Sequence, residues 1–174
     1  MSAYACNARR VIVITPSKHI SHQMFEAFCN KNESFLVKRK IVKEQQTFID
    51  ECRPSCHEVV QNTTEIVSYF DFDLVITNAH KFGTKSRVNI EAIPNDRVDL
   101  VIVDEAHHYP AETWTTIIAH FKESKKIFFT ATPKYDGRDI LPTQTLCFHL
   151  NRSYLVNEGI IRDIEFCSFS QSRL

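Results

Sequence analysis

The sequence predicts an α/β fold: a parallel sheet with helices on both faces. Three observations predict it. Short, continuous runs rich in β-branched residues recur along the chain, the pattern of strands buried on both faces. Segments with helical spacing lie between them, so neighbouring strands can be joined by right-handed crossovers. Each run ends in a polar cluster, and in open parallel sheets ligands bind outside the carboxyl ends of the strands.

The elements follow in order. Arg10 to Thr15 reads as a strand closed by Pro16. Ser17 then serves as an N-cap for a helix whose Ile20, Met24, Ala27 and Phe28 share a face. Phe35 to Val42 reads as a second strand with a basic insert, Lys38 to Lys40. Asp73 to Thr77, Asp99 to Val103 and Lys126 to Thr130 supply three more. Between the last two, Ala111 to Phe121 reads as a helix that buries Trp114, Ile117, Ile118 and Phe121. The four groups just past the apolar runs start at Thr15, Thr77, Asp104 and Thr130, and this topology gathers them at one sheet edge.

Composition narrows the function. The chain has 174 residues, 43% of them hydrophobic and 24% charged, which excludes a disordered tail, a collagen repeat or a coiled coil. Lys+Arg and Asp+Glu are both 21, so no global charge draws the chain to nucleic acid, though a local basic face such as Lys38 to Lys43 remains open. That same cluster also suits an exposed strand edge carrying protective lysines. No segment has the form of a targeting sequence or a membrane span. Six cysteines without a signal peptide read as reduced thiols and place the chain in the cytoplasm or nucleus.

Asp104 and Glu105, directly after the Asp99 to Val103 run, carry the strongest chemical signal. The first carboxylate can hold a hydrated magnesium ion, and the second can orient or deprotonate a water. Read structurally, the same pair simply caps the next helix. Thr130-Ala131-Thr132-Pro133 ends the next strand, where its hydroxyls can reach the acids or His107. Cys52, Cys56 and His57 could begin a zinc site, but no second Cys/His pair stands at a familiar spacing, and Pro54 favours a surface turn. His108 reads as a rim residue beside Tyr109 without a ligand.

D-E-A-H at Asp104 to His107 followed by T-A-T-P at Thr130 to Pro133 resembles motifs II and III of superfamily 2 helicases and translocases. T-P-S-K-H-I-S-H-Q at Thr15 to Gln23 is similar to motif Ia, and T-N-A-H-K-F at Thr77 to Phe82 to motif Ib. Asp136 to Asp139 and Asn157 to Ile161 resemble the stretch after motif III in the type III restriction enzyme and UvrB-like branch. The resemblance spans residues 9 to 166.

It implies a first RecA-like domain of an ATP-dependent nucleic acid motor. Asp104 would hold Mg2+ through water, Glu105 would be the catalytic glutamate, and His107 would couple the nucleotide site to strand movement through Thr130, Ala131 and Thr132. Thr15, Pro16, Ser17, Thr77 and Asn78 would touch the phosphate backbone, positioning a strand without reading its sequence. ATP and Mg2+ are the implied cofactors, with no independent metal site. The implied partners are nucleic acid, DNA in preference to RNA, and a second RecA-like domain, with no membrane.

One departure stands out. No G-x-x-x-x-G-K-[ST] occurs in the 174 residues, whose glycines are Gly83, Gly137 and Gly159. Phe82 to Ser86 has a Gly, a Lys and a Ser but not the motif, and it follows motif Ib. The expectation is a single partial domain over 1–174, truncated at its N-terminal edge, with 1–8 a ragged start and 134–174 leading toward the missing second domain. Two other readings stay open. One is a non-catalytic remnant that binds nucleic acid or a partner without ATP; the other is an unrelated hydrolase that uses Asp104 and Glu105 with a metal.

Overall fold

The computed structural model of the chain describes residues 3, 6–29, 54–59, 71–83, 90–109, 111–135, 137–139, 141 and 148–162. Contacts divide the chain into two compact units, Met1–Leu141 and Pro142–Leu174. The strand expected over Phe35 to Val42, the basic cluster to Lys43, Cys52 and Thr84 to Ser86 lie outside the described residues.

The first unit is built on an all-parallel sheet of five strands. These are β1 (Val11–Thr15), β2 (Cys56–Glu58), β3 (Leu74–Asn78), β4 (Leu100–Val103) and β5 (Lys125–Phe128), in the order β2-β3-β1-β4-β5. Helix α1 (Lys18–Cys29) follows β1, and α2 (Glu112–His120) joins β4 to β5. The expected α/β architecture is therefore present, with element ends displaced by one or two residues from the expected bounds.

Every residue of β1 and β3 is buried, which is why their sequences are continuous apolar runs rather than alternating ones. Alternation decides only which face receives each side chain. Ile12, Ile14, Val75, Val101 and Val103 pack with Trp114, Ile117, Ile118 and Phe121, the four residues expected on the buried side of α2. Val11, Val13, Leu74, Ile76 and Leu100 form the opposite core, against Met24, Phe25 and Phe28 of α1. Each such side chain contributes about 1.5–3 kcal/mol of transfer free energy. The expected apolar stripe of α1 is only half-buried, and its buried residue is instead Ser21.

The strand β2 corrects an expectation. Cys56 and His57 do not lie in a surface turn but form the edge strand, in register with Leu74 and Val75. Ser55 makes this possible. Its N–H and hydroxyl both donate to Asp73 Oδ2, at 2.8 and 2.7 Å, and so replace an apolar anchor. Cys56 joins one core, while the His57 ring stacks on Phe72 at 5.0 Å, so the two side chains leave the strand on opposite faces.

A short antiparallel pair, β6 (Lys134–Tyr135) with β7 (Arg138–Asp139), closes the first unit, and Gly137 takes φ 72 in its turn. In the second unit, α3 (Arg152–Asn157) is capped by Asn151, whose Oδ1 accepts from Ser153 N at 2.9 Å. Gly159 ends that helix at φ 68, with Ile160 N donating to Leu155 O. Among the described residues no helix is long and apolar enough to cross a membrane.

Candidate functional site

The register sets the site. Ile14 pairs with Val103, and Val103 with Phe128, so the carboxyl ends of β1, β4 and β5 stand side by side. Thr15 is in register with Asn78, which adds the end of β3. The four polar clusters do share one edge, as the sequence required.

Asp104 extends β4 by one residue: its N–H donates to Ile14 O at 2.9 Å. Its half-exposed carboxylate makes no hydrogen bond or ion pair with the described residues. Glu105 then adopts φ 50, ψ 48, a left-handed conformation that costs a non-glycine residue roughly 1–2 kcal/mol. The sharp turn is what seats Ala106, fully buried, with its N–H on Phe129 O at 2.9 Å. A single 3-10 turn, Ala106–His108, follows.

That turn brings His107 back to Glu105. His107 Nδ1 lies 3.1 Å from Glu105 Oε2 and 3.4 Å from Thr130 Oγ1. One ring nitrogen cannot serve both in the same way. Protonated, Nδ1 donates to the Glu105 carboxylate; unprotonated, it accepts from the Thr130 hydroxyl. The Thr130 oxygen meanwhile accepts from Thr132 N at 3.1 Å. The acid of β4 and the hydroxyl of β5 thus compete for one atom. His108 is exposed, its ring tilted 39° against that of His107 with centroids 4.3 Å apart and stacked on Trp114 at 6.2 Å.

The neighbouring tips differ. Thr15 is fully buried, with Oγ1 2.6 Å from Ser21 Oγ, 3.0 Å from Ser17 O and 3.3 Å from Thr77 O. Ser17 caps α1 as expected, accepting from Ile20 N at 3.3 Å. Thr77 and Asn78 are also buried, and Asn78 Oδ1 has no hydrogen-bond partner among the described residues. At this part of the edge Pro16 and Ser17 are half-exposed, and Lys18, His19 and His80 are exposed.

Sequence reasoning missed a group of charges beside these tips. Lys81 is buried in the turn after β3, and burial, helped by the nearby Lys18 charge, lowers its pKa. Glu58 at the end of β2 opposes that shift and accepts from His22 Nδ1 at 3.0 Å. The sequence signal was slight: a lysine three residues past a strand tip, between His80 and Phe82.

A divalent cation fits Asp104 in one way only. A single unengaged carboxylate suits Mg2+, which keeps most of its waters and takes one or two carboxylates together with phosphate oxygens. Among the described residues no group of three His, Cys, Asp or Glu side chains forms a site that would hold a metal by itself.

A family model described as type III restriction enzyme, res subunit, matches residues 1–135. The match takes in all five strands of the sheet and both tips of the acid-hydroxyl pair. No curated protein matches the chain.

Proposed function

The chain belongs to the type III restriction enzyme res-subunit family, a superfamily 2 helicase-like ATPase family, and on that premise we propose that it supplies the magnesium-and-water half of an ATP-driven nucleic acid motor. The observation that carries this reading is the acid pair Asp104 and Glu105 at the strand tip next to that of Thr130, with Glu105 and Thr130 both within reach of one His107 nitrogen. Asp104 holds the hydrated ion and Glu105 orients the attacking water. Bound there, magnesium neutralises charge on the transferred phosphoryl group. His107 exchanges Glu105 for Thr130 and so passes the state of the nucleotide site to β5, with Ala131 and Thr132 continuing the path.

The edge formed by Thr15, Pro16, Ser17, Thr77 and Asn78 faces nucleic acid, DNA in preference to RNA. In this reading the buried hydroxyls shape the edge, while Ser17, Lys18 and His80 meet phosphates. A second RecA-like domain completes the motor, in the cytoplasm or nucleus. The 174 residues contain no glycine-rich cradle for a triphosphate. That favours a second reading, a module that binds nucleic acid without using ATP.

An ATPase assay of the 174-residue chain, with and without single-stranded DNA, tests both. The chain alone should show no motor-like turnover, since positioning supplies most of the rate in phosphoryl transfer. It should bind the DNA weakly, with affinity falling steeply as salt rises. Robust turnover abolished by Asp104→Ala would overturn the reading of this chain as half a site.

A further inference from the structure

The second histidine of the turn, His108, has no role in the chemistry above, yet it is held from both sides. Its N–H donates to Glu105 O at 3.1 Å, and its carbonyl accepts from Ala111 N at 3.0 Å. Ala111 O in turn accepts from Trp114 N at 3.0 Å, so a backbone ladder in steps of three residues runs from the acid pair into α2. The rings follow the same path. The exposed His108 imidazole lies within 18° of parallel to the Trp114 indole, with centroids 6.2 Å apart, the separation of an offset ring pair. On its other side it stands 4.3 Å from the His107 imidazole, tilted 39°. Trp114 is 6% exposed and packs with residues of β1, β3 and β4, which fixes it in the core. Tyr109, the next residue of the turn, meets Phe128 of β5 edge-on at 6.1 Å.

His107 needs such support. Its Nδ1 reaches Glu105 at 3.1 Å and Thr130 at 3.4 Å, and its side chain is 35% exposed. Two bonds that compete for one atom cannot hold a ring while it passes from one to the other. Rotation about χ1 would carry the imidazole away from both partners. A flat neighbour at 4.3 Å opposes that rotation, and the neighbour is itself locked by its packing on Trp114. Histidine suits the position, since it offers ring faces to its neighbours and polar nitrogens to water. We propose that His108 is a positioning residue, which holds the His107 imidazole in the orientation from which Nδ1 exchanges Glu105 for Thr130. The proposal rests on the reading of His107 above. Through it α2 gains a hold on the acid pair, by way of Trp114 and two imidazoles.

NMR of the 174-residue chain tests the positioning directly. The χ1 couplings of His107 should report one rotamer, and an NOE should join its ring to the Thr130 side chain. In His108→Ala the couplings should average over rotamers and the NOE should be lost. His108→Phe, which returns a ring to the position, should restore both. The site is exposed, so the melting temperature of either variant should stay within about 2 °C of the parent. An unchanged His107 in His108→Ala, or a failure of His108→Phe to restore it, would overturn the proposal. A melting temperature that falls together with the His107 signals would overturn it too, since His108 would then support the turn rather than the ring. Turnover of an ATP-hydrolysing assembly containing this chain separates the proposal from the reading beneath it. His108→Ala should lower that turnover about tenfold or more, with recovery in His108→Phe. A freed His107 ring with turnover intact would uphold the positioning and overturn the role given to His107.

Discussion

Two pairs of strand tips lie on the same edge and are made differently. At β1 and β3 the hydroxyls of Thr15 and Thr77 are buried and spent on Ser17, Ser21 and the neighbouring backbone. At β4 and β5 the side chains of Asp104, Glu105, His107 and Thr130 are half-exposed, and their few bonds are exchangeable. The first pair fixes where α1 begins. The second leaves charge and a hydroxyl free to change partners. Burial thus separates scaffold from chemistry among residues that a sequence presents in the same way, as polar groups ending apolar runs.

The sharpest test of that division removes one residue from each pair. In an ATP-hydrolysing assembly containing this chain, the proposed role of Asp104 in holding magnesium predicts that Asp104→Ala lowers turnover by about a thousandfold or more. The same change should move stability by no more than about 0.5 kcal/mol, as for other partly exposed positions without partners. A cooperative loss of fold on Asp104→Ala would place Asp104 with the scaffold instead.

Thr15→Val should behave in the opposite way. It keeps the shape and deletes a buried hydroxyl, leaving the Ser21 Oγ and Thr77 O contacts unmet. Thermal unfolding should show a loss of about 1–2 kcal/mol. Thr130→Val, at the half-exposed tip, should cost less than about 0.5 kcal/mol. Equal losses at the two threonines would erase the distinction.

Glu105 offers a smaller effect of opposite sign. Glu105→Gly should raise stability by about 0.5–1 kcal/mol, because glycine accepts φ 50 without the steric penalty and returns part of that gain as unfolded-chain entropy. Glu105→Ala, which keeps a Cβ, should show no such gain. Both should end hydrolysis in the assembly. An equal rise for Ala and Gly in a melting experiment would mean that the strain is not at this backbone position, and that charge repulsion beside Asp104 is the cause.

Much of this was legible in the sequence. The strands β1, β3, β4 and β5 and the buried side of α2 follow from runs that must be apolar on both faces. The acid pair stands out because two carboxylates end such a run. What stayed hidden depends on tertiary contact. The strand β2 has no apolar run, and Ser55 and Asp73, 18 residues apart, hold it in place. The burial of Thr15 depends on where Ser21 lands, which strand propensity does not encode. The left-handed turn at Glu105 has no glycine to announce it, and Lys81 takes its character from Lys18 and Glu58 on other elements.

The smallest effect tests the scaffold side through pH. Two histidines flank Glu58 with opposite tendencies. The hydrogen bond from His22 to Glu58, then the Glu58 charge, raises the His22 pKa above 6.5. Burial lowers that of His57 below 6.5, against a weaker pull from Glu58. A raised folded-state pKa means that the His22 contribution is fully present below about pH 6.5 and fades as pH rises through the folded value. A lowered one means that His57 detracts from stability as pH falls below about 6.5 and has no effect above it. The His22 side chain is 61% exposed, so its share is small and salt-sensitive. Between these limits the two act against each other, and the attachment of β2 to α1 should vary little from pH 6 to 7. His22→Gln should break that balance: β2 amides should then exchange faster as pH falls, once the intrinsic pH dependence is removed. Imidazole proton shifts give the direct reading, with His22 titrating above His57. The reverse order would mean that the His22–Glu58 pair does not form in solution.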